Sequence, residues 1–566
     1  MRSVGIFLRK HKGKLWFAVS LNLVILVCTL ALMPPLYESN DDVAIRELIN
    51  GAREVRDPHL VYQNIVLGII YKILYHFTIG VPWYDLVQYF TVLASLTAVA
   101  YVFLNRLEPS RGLMAVLILQ MFFAFECYVR PQYTKTAGIA AASGLLLLFW
   151  LVRRERMRWW EAVWGTGLAC MGFMYRNTEA AVCMVIVSAL GLHTLMSMKG
   201  ERREGIRRVL RRALCIFGTL AVLLTSLYAV DFWAYETVPM WKSYKEFNKL
   251  RTELLDYGFP DYASNQEGYE MLGINEDALA LYSSWNFNDP DKFQVPVMEQ
   301  LVQMKPARRL TGDTVRAFAE TVPDILADSY TFHCAAFFLL MWLIWGKHRG
   351  REWISLLYAG VLWGLFYLYL FYMGRYGVNR VDTGLWFAVS LVAGYFLNGE
   401  WDSGHQRRIR AALTVLLCGL ALWTGQRNCR PYLRVYHQED EAQRTALRQV
   451  LEALGSDQEN LYLIKGGCVS EYNCYGTFDT MPGGILNNMC WLSGWDCNLA
   501  GQKKVLENFG VSNPFRDLIN RQDVILVDNN IELTLRYIRA YYDGNAEAEF
   551  LKTVGNVNLY RIVSDP

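Results

Sequence analysis

Apolar runs of membrane-spanning length recur along this chain, near residues 15–33, 86–104, 112–128, 135–152, 159–174, 179–198, 214–233, 332–345, 353–372, 383–397 and 411–425. A bilayer interior about 30 Å thick needs about 20 apolar residues in a helix. The runs therefore predict about eleven transmembrane helices, several of them short. Only 19% of the 566 residues are charged and 53% are hydrophobic, whereas soluble domains carry roughly 25% charged residues. This excludes a cytosolic enzyme, a disordered chain and a disulfide-scaffold peptide. The expected fold class is mainly α, a polytopic membrane protein.

Charge sets the expected orientation. Segments 1–14, 105–111, 153–158, 199–212, 346–352 and 398–410 together hold about 24 Lys and Arg. The short turns of the opposite side hold five: Arg130, Lys135, Arg176, Arg375 and Arg380. Basic residues stay on the cytoplasmic side, so the N-terminus is expected inside and the C-terminus outside, in a cell membrane. The first run, Leu15 to Met33, reads as a retained signal anchor, because Met33-Pro34-Pro35-Leu36 follows it in place of a small-residue cleavage site. Residues 60–76 are apolar enough to resemble a further span. A crossing there would invert every later loop and bring Gln63, Asn64, Lys72 and His76 to bilayer depth. That stretch is expected as an amphipathic helix lying along the outer surface or re-entering it.

The chain then divides into a membrane domain, 1–425, with outer loops 34–85 and 234–331, and an extracytoplasmic α/β domain, 426–566. Loop 234–331 predicts helices around 241–255 and 315–328. The tail predicts helices at Glu439–Leu454 and Ile531–Tyr542, and strands at Leu461–Ile464, Val524–Val527 and near Val557–Ile562. Cys468, Cys474, Cys490 and Cys497 lie in the tail. Four cysteines allow three pairings, and four free buried thiols fit the sequence equally well.

Ionisable residues at membrane level point to function. The acidic ones, Asp85, Glu126, Glu179, Asp231 and Asp382, gather at the outer ends of runs. The densest group is Ser39-Asn40-Asp41-Asp42, after the first span, followed by a short amphipathic helix ending at Gly51. Capping by Ser39 or Asn40, with the Asp pair at the positive helix end, is the structural alternative. The chemical reading makes one carboxylate a general base for an acceptor hydroxyl, Asp41 first and Asp42 second, since adjacent helical residues point about 100° apart. Arg375 and Arg380 bracket a short outer turn and suit a lipid phosphate; pairing with headgroups or with Asp382 is the alternative. His59, Glu126 and Arg176 are candidate lining residues. Glu126 would orient the base or help hold a divalent metal, although no ligand spacing marks a metal site. No GxxxxGK[ST] or GxGxxG signature occurs, no nucleic-acid motif occurs, and no inner loop has room for a nucleotide-binding domain. An outward-facing transferase so built needs a donor that arrives through the membrane.

These features resemble the GT-C superfamily of integral-membrane glycosyltransferases, which includes protein O-mannosyltransferases and aminoarabinose transferases. The residues that carry the resemblance are Asp41-Asp42, then Asp57-Pro58-His59-Leu60-Val61-Tyr62, then Asn64 to Gly68, with Gly80 before Pro82-Trp83-Tyr84. Here Asp-Asp stands where Asp-Glu is commoner, and Pro-His where His-Pro-Pro is usual. The resemblance implies a GT-C-like bundle with outer juxtamembrane helices. It implies sugar transfer from a polyprenyl-phosphate donor to an extracytoplasmic acceptor, with Asp41 activating the acceptor and the anomeric centre inverting. Arg375 and Arg380 would then stabilise the leaving phosphate. Membrane lipids are the other expected partners; no cofactor is specified, and a divalent metal stays open as the one candidate. A lipid-linked-sugar transporter or flippase, or a non-catalytic membrane assembly protein, is the alternative; a transporter would carry internal repeats and mid-bilayer charges.

Overall fold

The computed structural model describes residues 15–199, 202–398, 405–436, 440–469 and 474–564. In chain order the helices are α1 (Leu15–Leu32), α2 (Asp41–Asn50), α3 (Ile65–Phe77), α4 (Trp83–Arg106), α5 (Pro109–Ala124, continued by a π turn Phe125–Val129), α6 (Tyr133–Arg153), α7 (Trp159–Tyr175), α8 (Asn177–Val187), α9 (Ala189–Ser197) and α10 (Arg203–Thr237). Next come α11 (Pro239–Arg251), α12 (Gln266–Met271), α13 (Glu276–Ser283), α14 (Val295–Gln303), α15 (Gly312–Asp328), α16 (Phe332–Trp345), α17 (Gly350–Tyr372), α18 (Asn379–Tyr395), α19 (His405–Tyr436) and α20 (Asp440–Ser456). The tail adds β1 (Leu461–Ile464), β2 (Met489–Trp491), α21 (Ala500–Asn508), β3 (Val524–Val527), α22 (Ile531–Tyr541), β4 (Ala546–Val554) and β5 (Val557–Ser564).

Each of the eleven apolar runs folds as a helix. Among the described residues, eight helices are long and apolar enough to cross a membrane, and a ninth if α15 and α16, bent by 92° at their junction, form one span. The chain is a multi-pass membrane protein. The count of eleven is trimmed by length: α7 and α18 have 17 residues each and α16 only 14. The run 179–198 is broken at Ser188 between α8 and α9. Helix α3, with 13 residues, spans about 20 Å at 1.5 Å per residue, too little to cross. It turns Tyr71 and Tyr75 inward and leaves Ile69, Ile70, Ile73 and Phe77 exposed, the asymmetry expected of a helix lying against lipid.

Small residues let the central helices close up. A Cβ on Gly144 would stand 2.5 Å from the Gly165 carbonyl, and one on Gly172 2.5 Å from that of Ala137. Helices α6 and α7 therefore meet backbone to backbone, as membrane helices do where side chains are absent.

Outside the bundle, loop 34–85, loop 234–331 and the tail share one hydrophobic core. The tail's sheet has the order β2-β1-β3-β5-β4, with β1 parallel to β2 and β3, and β5 antiparallel to β3 and β4. Strands β1 and β3 are buried on both faces, as their unbroken apolar runs dictate. Helix α2 is clamped to this domain: Arg46 donates to the carbonyls of Gly476 (3.1 Å) and Asp479 (3.2 Å), and Arg53 to those of Leu486 (3.1 Å) and Met489 (2.9 Å). Loop 234–331 joins the same sheet, where the Phe287 and Asn288 amides donate to the Leu492 carbonyl. Helix α19 runs through residue 425, so no break in the chain marks that point. Cys468, Cys474, Cys490 and Cys497 are buried, and Cys468, Cys490 and Cys497 are free thiols.

Candidate active site

Four helices begin at one end of the bundle: α2, α6, α8 and α18. Their first amides, which have no partner within their own helices, make this end electropositive even before charged side chains are counted. On these starts the sequence places Asp41 and Asp42, Tyr133 to Lys135, Arg176, and Asn379 and Arg380.

Asp41 opens α2. One carboxylate oxygen accepts a hydrogen bond from the Trp495 indole N–H at 3.3 Å, and the other lies 3.9 Å from the Arg380 guanidinium. The Asp41 side chain is 18% exposed and that of Arg380 24%. Asp42 points elsewhere and is fully buried. Its Oδ1 accepts from the Tyr84 hydroxyl (2.9 Å) and the Tyr133 amide (3.1 Å), while its Oδ2 has no hydrogen-bond partner. Burial pushes its carboxyl well above the usual range, against the pull of those two donors. Neither aspartate caps its own helix, and the N-cap, Asn40, makes no side-chain capping bond. Asn40 thus holds the N-cap position without a side-chain bond, and both aspartates stand in the first turn, at the positive end of the helix.

A second cluster adjoins this one through α18. Lys135, buried, pairs with Glu38 and Glu126. Asn379, beside Arg380, donates to Glu126 at 2.8 Å and to Glu38 at 3.1 Å. Glu126 is thus a partner of Lys135 and Asn379, and no group of three His, Cys, Asp or Glu able to hold a metal occurs among the described residues. Arg176 donates to the Tyr133 hydroxyl (3.2 Å) and the Thr134 hydroxyl (2.9 Å).

Tyr62 ties these groups to the loop domain. Its ring meets Trp495 edge to face at 5.1 Å, and its hydroxyl accepts from Arg251 at 3.5 Å. Burial pushes the Tyr62 phenol up to about 12, with Asp41 raising it further while Arg251 and Arg176 lower it.

The remaining candidates fall away from Asp41. Arg375 lies 3.6 Å from Asp256 and over the Tyr257 ring, and no described contact joins it to Asp41. Neither arginine pairs with Asp382, whose carboxylate instead accepts from Tyr367. His59 is a joint between loops: its Nδ1 meets Asp57 at 2.6 Å and its ring stacks on Trp241 at 4.8 Å. Sequence reasoning passed over Glu38, Tyr62, Asn379 and Trp495. Glu38 and Asn379 stand next to singled-out motifs, which is a usable signal. Trp495 lies 454 residues from Asp41 and carries none.

No family model matches the chain, and no curated protein matches it. Among solved structures it is similar to the crystal structure of ArnT from Cupriavidus metallidurans in the apo state, at 12% identity, with a TM-score of 0.41 and 97% of each chain covered. It is also similar to that of ArnT from Cupriavidus metallidurans bound to undecaprenyl phosphate, at 11% identity, with a TM-score of 0.38, 97% of this chain and 98% of that chain covered.

Proposed function

We propose that this chain transfers a sugar from a polyprenyl-phosphate donor to an acceptor hydroxyl, at the end of the bundle that carries Asp41, and that this end faces out of the cytoplasm. The single observation that carries the reading is the setting of Asp41. It is a partly open carboxylate with one oxygen fixed by an indole N–H and the other beside a guanidinium, in a ring of helix N-termini. The residue-level resemblance of the first outer loop to GT-C transferases supports it.

In the step envisaged, Asp41 takes the proton of the acceptor hydroxyl. The acceptor oxygen bonds to the anomeric carbon while the bond from that carbon to the phosphate oxygen breaks. The electron pair leaves with polyprenyl phosphate and the centre inverts. Arg380 offsets the charge growing on that phosphate, and Arg176 adds to the positive field. Asp42 has a positioning role, holding the start of α6 and Tyr84 against α2. Arg375 stands at the rim, engaged by Asp256.

The test is transfer of labelled sugar by protein reconstituted in liposomes. Asp41→Asn is expected to lower it by at least about a hundredfold with membrane insertion intact. Unchanged transfer in both Asp41→Asn and Asp42→Asn would overturn the mechanism and favour a transporter or an assembly protein.

A further inference from the structure

A cavity of about 240 Å³ lies between α2, the turn after α13 and the sheet domain, with Trp495 in its wall. Three indoles from two distant stretches form its walls: Trp285, Trp491 and Trp495. Between them stand the carboxylates of Glu47 and Asp496 and the hydroxyl of Ser493, and no Lys, Arg or His lines it. The backbone comes close at Gly467 and Gly494, both at positive φ.

Trp285 is held in place at a cost. Its φ is +67°, a conformation that a bulky side chain adopts only where the surroundings impose it. The next residue supplies the clamp: Asn286 bridges to Ser493, and its side-chain oxygen accepts from the Gly466 amide at 2.8 Å. The fold thus sets an indole against the cavity in a strained backbone, locked to the opposite wall. Packing alone would be served by any apolar side chain in ordinary β backbone.

We infer that this cavity binds a sugar ring, uncharged or bearing an amine, as part of the acceptor. Sugar rings present C–H faces that lie on indoles and hydroxyls that donate to carboxylates. A phosphorylated sugar is disfavoured, because Glu47 and Asp496 line the cavity while the nearby cations, Arg53 and Arg251, do not line it and lie over the Trp491 and Trp285 rings. The volume suits about one ring. Trp495 also donates to Asp41, so a ring held there sits one side chain from the proposed base. Calling it the acceptor's sugar rests on the transfer reading; the sugar site itself does not.

The test is saturation-transfer NMR on the full chain in detergent micelles, with the N-acetylglucosamine trimer, maltotriose and glucose 6-phosphate as probes. A neutral probe is expected to receive saturation at its ring protons, and glucose 6-phosphate none. Trp285→Ala and Ser493→Phe, the second filling the cavity without removing an indole, should each weaken the neutral probe by about tenfold or more. Trp159→Ala, at a residue 76% exposed on α7, should leave it unchanged. No saturation of either neutral probe, binding by both cavity variants as strong as by the native protein, or preference for glucose 6-phosphate would overturn the inference. Asp41→Asn separates the two readings. Transfer lost in that variant, with no probe binding in either protein, sinks the sugar site and leaves the transfer reading standing. Probe binding sensitive to Trp285 in a protein with no transfer activity does the reverse.

Discussion

The two ends of the bundle use their basic residues differently. At the end that carries Asp41, buried and half-buried cations meet carboxylates: Arg46 with Asp85 at 3.6 Å, Lys135 with Glu38 and Glu126, and the half-buried Arg380 with Asp41. At the other end, where α4, α6 and α18 finish, cations rest mainly on carbonyls and rings. Arg106 donates to the Tyr395 carbonyl at 2.8 Å and lies 3.5 Å over its ring, Arg111 stands over Trp345, and Arg154 over Trp150 beside its one acidic partner, Glu161. Helix C-termini carry negative partial charge, so cations are welcome there without a carboxylate. One end thus concentrates matched charges away from water, where a small imbalance acts on a bound substrate. The other lays its cations on rings and carbonyls, with Glu108 and Glu161 as the acidic partners of Arg111 and Arg154.

Exchanging charges tests this contrast. Arg380→Ala is expected to lower transfer by about a hundredfold, whereas Arg349→Ala at the opposite end should leave it at the native rate. Equal losses in the reconstituted assay would erase the distinction. A smaller effect is expected at Asp42. Its raised folded pKa means that the stability this carboxyl contributes is fully present below its unfolded value, about 4. That contribution is lost as pH rises toward the folded pKa. Asp42→Asn keeps an acceptor for Tyr84 and Tyr133, so its melting temperature in detergent should fall less than the native protein's between about pH 4 and 7. Parallel curves would show that the buried carboxyl does not couple to folding. The smallest effect belongs to Arg536, which meets Asp277 at 2.9 Å on the outer surface, with the two side chains 52% and 34% exposed. Arg536→Ala should cost less than about 1 kcal/mol of unfolding free energy by denaturant titration.

What the sequence disclosed follows from which forces are local. Apolar runs are local, and all eleven became helices. Strands β1 and β3 stand at the expected residues because each is a short apolar run buried on both sides. Strand β4 was missed because AEAEFLKTV is mostly exposed and rich in Ala, Glu and Lys, which strands disfavour; its pairing with β5 places it there. Strand β2 has three residues and is defined only by its neighbour β1. At the site, Asp41 and Arg380 were legible as charges at membrane level. That Arg380 turns to Asp41 and Arg375 to Asp256 was not, because contacts hundreds of residues apart leave no periodicity behind. Nor was it legible that loop 34–85, loop 234–331 and the tail fold on one core.

Arg46 sits in the first fifty residues, and the carbonyl of Gly476 that receives it comes 430 residues later. At about 5 to 20 residues per second, a ribosome needs roughly 20 to 90 s to cover that distance. Throughout that interval α2 and its aspartates have left the translation machinery without the walls that shape them. The candidate site is therefore assembled last although Asp41 is made early, and a chain truncated before the sheet is complete would carry α2 without the partners of Arg46 and Asp41.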